Sequence, residues 1–139
     1  MKKNKTLFKT ACILIILCGV GHTCYELFGP KDPVVFKSIN NLAVSLPGGN
    51  EARLTSVLLG ISVLMGTMLV GIGTINLSLT SLFNAKIPNK IIVTNIIISS
   101  IILLISINFR LIPPIFFIGL ALIFFLITLF KNKKVIHEN

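Results

Sequence analysis

Apolar residues fill four long stretches of this chain with almost no charge inside them: Thr10 to Phe28, Ser56 to Leu79, Ile91 to Phe109, and Pro113 to Phe130. Each approaches the roughly 20 residues that a helix, rising about 1.5 Å per residue, needs to cross bilayer hydrocarbon. The runs are continuous and lack the period of two that a barrel strand carries. Hydrocarbon offers the backbone no water, so a crossing segment must satisfy its own hydrogen bonds, as a helix does. The pattern predicts an all-α fold: a bundle of four transmembrane helices in a single integral membrane domain spanning residues 1–139.

Polar punctuation sets the connections. Gly29-Pro30-Lys31-Asp32-Pro33 is a turn-rich exit from the first span. Val35, Ile39, Leu42 and Leu46 then recur at helical spacing between polar residues, which predicts a short amphipathic helix in the outer loop, lying on the membrane or capping the bundle. Pro47-Gly48-Gly49-Asn50 is expected to end it. The second and third spans are joined through Thr80 to Lys90, with Pro88 marking the turn. The third and fourth are joined by Arg110-Leu111-Ile112 alone, which forces an antiparallel hairpin. Pro113 and Pro114 suit the first turn of the fourth helix, where missing N–H donors matter little.

Within the spans the polar and small residues are not scattered. On the second, Ser56, Gly60, Thr67, Gly71, Thr74 and Ser78 fall within about 60° of a helical wheel. Ser62, Gly66 and Gly73 form another strip. Small residues let helix backbones approach closely in lipid, so Gly60, Gly66, Gly71 and Gly73 are expected to pack and to put this helix at the centre. Asn95, Ser99, Ser106 and Arg110 share a face of the third helix. Asn76 and Asn95 lie near the inner side of their spans, a placement suited to an amide–amide hydrogen bond. The fourth span, with Phe116, Phe117, Phe124 and Phe125, reads as lipid-facing or packing surface.

Charge adds orientation. Only 12% of the residues are charged, against about a quarter in soluble domains. Of 13 basic residues, nine (Lys2, Lys3, Lys5, Lys9, Lys86, Lys90, Lys131, Lys133 and Lys134) fall on one side of the predicted topology, and Lys31, Lys37, Arg53 and Arg110 on the other. The positive-inside rule then predicts both termini in the cytoplasm. The net charge of +9 points to anionic lipid heads and not to nucleic acid, because no basic surface is left once the spans are in lipid. A signal peptide cleaved near Gly19-Val20-Gly21 is an alternative for the first span, since the apolar run past Gly21 reaches only Phe28; retention is the expected form. Cys12, Cys18 and Cys24 are six apart, about 120° from one to the next on a helix, and no CxxC occurs. They read as small apolar side chains.

Candidate chemistry concentrates at the outer side. His22 and Glu26 are one turn apart on the first helix, and the topology puts Arg53, Ser106 and Arg110 near the same level. Ionisable groups in a span are costly and face a bundle interior or a watery cavity. The expected site is an outward-facing pocket around His22, with Glu26 paired to Arg53 or Arg110, able to hold a small ligand or lipid. Other readings stay open. A small proton-coupled transporter would use Glu26, and a membrane-embedded enzyme would use His22 as acid–base. The plainest has Glu26 satisfied by an arginine and His22 in a helix–helix hydrogen bond. No cofactor or metal is expected: His137 is the only other histidine, and tetrahedral zinc takes three or four protein ligands. No catalytic residue is assigned. The small-residue strips suit packing within the chain, a homo-oligomer or a membrane partner protein equally.

The elements Gly19, Gly21, His22 and Thr23, then Gly60, Ser62, Met65 and Gly66, then Pro113 and Pro114 resemble a family of small bacterial four-helix integral membrane proteins of unknown function. That family has a Gly-x-Gly-His-Thr element ending helix one, a Met-Gly element in helix two and prolines opening helix four. This chain departs from it in lacking a tryptophan where Val57 to Leu59 stand. The resemblance implies the same topology and singles out His22, and it implies no activity.

Overall fold

A computed structural model describes residues 2–45, 48–83 and 86–137, with side chains between Asn4 and Asn132. The order of elements is α1 (Lys2–Phe28), α2 (Pro33–Asn40), β1 (Ala43–Ser45), β2 (Glu51–Arg53), α3 (Leu54–Leu82), α4 (Asn89–Asn108) and α5 (Ile112–His137). Four stretches of helix, Asn4–Phe28, Leu54–Leu82, Asn89–Asn108 and Ile112–Asn132, are long and apolar enough to cross a membrane. The shortest has 20 residues, about 30 Å of helix. The chain divides into two compact units, one formed by Met1–Cys18 with Leu69–Asn139 and the other by Gly19–Met68.

The first unit has its apolar core in Phe8, Cys12, Ile15, Ile92, Ile118 and Phe125, among others. Phe8 and Phe125 meet with ring centroids 5.2 Å apart. The α4–α5 link is as short as the sequence requires, and α4 and α5 pack against each other. What surrounds this core is inverted relative to a water-soluble protein. On α4, Asn95, Ser99 and Ser106 are 3%, 1% and 3% exposed, while Ile97, Ile101 and Leu104 are 55%, 55% and 66% exposed. Water would penalise that arrangement at every position, whereas hydrocarbon favours it, since lipid tails solvate apolar side chains and leave polar ones to pair inside.

In the second unit Asp32 starts α2. Its carboxylate accepts hydrogen bonds from Val34 N (2.8 Å) and Val35 N (3.2 Å), and Pro33 follows at the first helical position. This is a strong N-terminal signal, because two of the otherwise unpaired donors are satisfied. The periodicity of Val35, Ile39, Leu42 and Leu46 predicts a longer helix than the one found: α2 ends at Asn40. Ala43–Ser45 instead pair antiparallel with Glu51–Arg53, in the register Ala43↔Arg53, Val44↔Ala52 and Ser45↔Glu51. Gly48 and Gly49, at φ +98° and +80°, lie between the two strands, where the left-handed backbone suits glycine. Leu46 and Pro47 lie outside the described residues.

Candidate functional site

In the second unit α1 and α3 come together where both are small. Gly66 is buried, and a Cβ added to it would lie 2.9 Å from the carbonyl oxygen of Gly19, closer still to the Thr23 hydroxyl and 3.3 Å from the Thr23 amide. One turn earlier on α3, the Ser62 hydroxyl lies 2.9 Å from Nε2 of His22. The hydroxyl donates to the ring when Nε2 is bare and accepts from it when Nε2 carries the proton. His22 therefore belongs to a helix–helix hydrogen bond, of a kind worth about 0.6 kcal/mol on average in membranes. Thr23 Oγ1 turns back to Gly19 O at 2.9 Å, so its hydroxyl is spent on its own helix.

Beside this contact an open groove of about 490 Å3 runs between the end of α1, α2 and the first two turns of α3. Its walls are apolar: Val35, Phe36 and Ile39 from α2, Leu58 and Leu59 from α3. Tyr25, Glu26, Lys31, Asp32, Thr55 and Ser62 supply the polar lining. Several of these groups are already engaged. Asp32 caps α2, Thr55 Oγ1 donates to Asn40 Oδ1 at 2.8 Å, and Ser62 meets His22. The Lys31 ammonium stands 5.5 Å from the centroid of the Phe36 ring, within range of a cation–π attraction. Glu26 is half-buried on the wall and has no ion-pair partner in this unit among the described residues.

Of the five residues expected to share one pocket, His22, Glu26 and Arg53 belong to the second unit. Glu26 lines the groove, and His22 touches it through Ser62. Arg53 is on β2 and lines a separate cavity of about 310 Å3 with Asn40, Asn41, Leu42 and Ala43, and its guanidinium is not within 4.0 Å of the Glu26 carboxylate. Ser106 and Arg110 belong to the first unit. There Ser106 is buried and donates to Ile102 O at 2.8 Å. Arg110 is an exposed turn residue at φ +54°. It ends α4 in a Schellman arrangement, with Leu111 N donating to Ser106 O (2.8 Å) and Arg110 N to Ile107 O (3.1 Å). A left-handed conformation costs a side-chain-bearing residue about 1–2 kcal/mol. Arg110→Gly is accordingly expected to raise stability by up to about 1 kcal/mol, measured by SDS-titrated unfolding; a loss on replacement would show that the guanidinium has a structural partner.

The four glycines also part company. Gly73 repeats the Gly66 contact within the first unit, its added Cβ falling 2.9 Å from Cys12 O and 3.3 Å from Ile16 N. Gly60 and Gly71 have no atom within 4 Å of such a Cβ. Asn76 and Asn95 are buried and joined by two side-chain bonds, Nδ2 of each donating to Oδ1 of the other at 2.9 and 3.0 Å. Each Nδ2 also donates to the carbonyl four residues back.

Asn132 escaped the sequence reading. Its Nδ2 donates to Ile87 O (3.0 Å) and Asn89 Oδ1 (3.3 Å), its Oδ1 accepts from Asn4 Nδ2 (3.4 Å), and its backbone carbonyl accepts from Lys86 Nζ (2.9 Å). One residue ties the α3–α4 link, the start of α1 and the end of α5. A signal was present: Ile118, Ala121, Phe125, Thr128 and Asn132 step by three and four, and all are buried. The fourth span is a packing surface along this stripe, which Asn132 extends past its end.

Cys12 and Cys18 are buried and Cys24 exposed, all as free thiols. No group of three His, Cys, Asp or Glu side chains that could hold a metal occurs among the described residues. A helical architecture with one short strand pair, four membrane-length apolar helices and buried polar side chains fits a multi-pass membrane protein. Compared with models of protein families, with curated proteins and with solved structures, the chain matches none.

Proposed function

We propose that this is a four-helix-bundle protein of the bacterial cytoplasmic membrane that holds one lipid or small amphiphile in the groove beside His22 and Ser62. The observation that carries the reading is the groove itself: an apolar wall of Val35, Phe36, Ile39, Leu58 and Leu59 meets a half-buried Glu26 that has no ion-pair partner in this unit among the described residues. An apolar channel with a few polar groups at one end is the usual form of a site for a small apolar or amphiphilic molecule. The split of nine basic residues against four supports an orientation with both ends of this chain in the cytoplasm, which puts the groove on the outer side. Its α3 residues, Thr55 to Ser62, start the second span, so the groove is level with lipid headgroups and the first methylenes beneath them.

Native mass spectrometry of the full-length protein, gently extracted, tests this. One amphiphile per chain is expected, lost in Leu59→Trp, which fills the groove. It should persist in Leu104→Trp, where the same ring is added to an exposed position on α4. His22→Ala is expected to weaken the adduct and not abolish it, since it removes only the anchor of Ser62. An adduct insensitive to Leu59→Trp, or none, sinks the proposal.

A further inference from the structure

The geometry points to the chemical class of the amphiphile: a phospholipid whose headgroup carries a primary ammonium next to its phosphate. This deepens the groove reading above and rests on it. The charges in the groove are not all equally open to a ligand. Its ionic side chains are Glu26, Lys31 and Asp32. Asp32 is committed, accepting two amide donors as the cap of α2. Its charge stays in the groove, partly offset by the N-terminus of α2, and Glu26 and Lys31 are the carboxylate and the ammonium open to a ligand. Glu26 and Lys31 form no ion pair, so their charged atoms stand more than 4.0 Å apart, and both line the same groove. Two opposite charges kept apart on one apolar-walled groove are complementary to a dipolar headgroup. An anionic headgroup would meet Lys31 favourably and Glu26 unfavourably; a cationic amphiphile would meet the reverse.

The nature of the cationic end follows from the aromatic groups. A quaternary ammonium is best recognised by an aromatic face. One face of Phe36 is engaged by the Lys31 ammonium 5.5 Å from its centroid, and Tyr25 is 62% exposed, so the groove has no cage of aromatic faces among the described residues. A primary ammonium instead donates hydrogen bonds to a carboxylate, and Glu26 has acceptor capacity to spare. In the resulting arrangement Glu26 accepts from the lipid ammonium, and Lys31, held over Phe36, donates to the phosphate. One acyl chain follows Leu58 and Leu59. The occupant is drawn from the bilayer, because the groove sits at the start of the α3 span and its wall is apolar.

The test titrates the full-length protein in detergent with short-chain phosphatidylethanolamine, phosphatidylcholine, phosphatidylglycerol or diacylglycerol, and counts bound lipid by native mass spectrometry. Phosphatidylethanolamine is expected to bind about tenfold more tightly than the other three, the worth of one charge-assisted hydrogen bond. Glu26→Gln and Lys31→Gln should each remove most of that preference. Lys37→Gln, a charge change on α2 outside the groove, should leave it intact. Lys31 lies in the link between helices, so its variant keeps the test valid if Glu26→Gln does not fold. Equal or tighter binding of phosphatidylcholine or phosphatidylglycerol overturns the headgroup assignment. So does binding of all four lipids alike, and if Leu59→Trp still blocks them the groove itself survives. Binding of no lipid, or binding that Leu59→Trp leaves untouched, removes the groove reading as well.

Discussion

Gly66→Ala and Gly73→Ala are each expected to destabilise the protein by about 1–3 kcal/mol, while Gly60→Ala and Gly71→Ala on the same helix leave it unchanged or up to about 1 kcal/mol more stable. The chemical change is one methyl group in all four cases. At Gly66 it would collide with the Gly19 carbonyl and the Thr23 hydroxyl and amide, and at Gly73 with the Cys12 carbonyl and Ile16. Backbone atoms of α1 cannot rotate aside as a side chain tip can, so the two helices must separate. Separation forfeits close packing, which supplies much of the attraction between helices in lipid because the hydrophobic effect there is weak. At Gly60 and Gly71 the methyl meets nothing within 4 Å, and only alanine's better helix propensity acts.

The protein carries its own probe for this comparison. Cys12 is buried and its carbonyl lies at the Gly73 contact, while Cys24 is exposed. SDS-titrated unfolding with maleimide labelling, read by mass spectrometry, should show Cys12 becoming reactive at lower SDS in Gly66→Ala and Gly73→Ala. Cys24 should label throughout. Equal behaviour of all four variants would remove the distinction drawn between the two strips.

The Asn76–Asn95 pair is expected to behave as a unit. Asn95→Leu removes both inter-helix bonds and leaves Oδ1 of Asn76 without its donor at a position 8% exposed. The cost should be about 1–2 kcal/mol, since an acceptor stranded away from water loses more than an average bond contributes. Asn76→Leu should cost a similar amount for the mirror-image reason. The double variant has no stranded amide, and two leucines suit an apolar contact. Its destabilisation should therefore fall well below the sum of the two singles, and a double-mutant cycle by SDS titration measures the difference. Strict additivity would mean that the amides are satisfied independently and that the reciprocal bonds carry no coupling.

The amino-acid pattern by itself determined what depends on medium and length. Four apolar runs of membrane length can only be helices in lipid, and the three residues between the third and fourth leave no alternative to a hairpin. Asp32-Pro33 announced the start of α2, because capping is a local matter of one carboxylate and the next few amides. Tertiary structure decided what depends on neighbours. Both small-residue strips on α3 are equally regular in sequence, yet the strip with Gly66 and Gly73 meets α1 while Gly60 and Gly71 meet nothing. Helical spacing alone extended α2 to Leu46; pairing of Ala43–Ser45 with Glu51–Arg53 stopped it at Asn40, since a strand's partner is remote in sequence. Charge and level alone grouped Arg53 with Glu26. Packing set Arg53 on the wall of another cavity and Ser62 against His22. A hydrogen bond or a van der Waals contact is settled within a few ångströms, and a helical wheel fixes direction around an axis without saying which neighbour stands there.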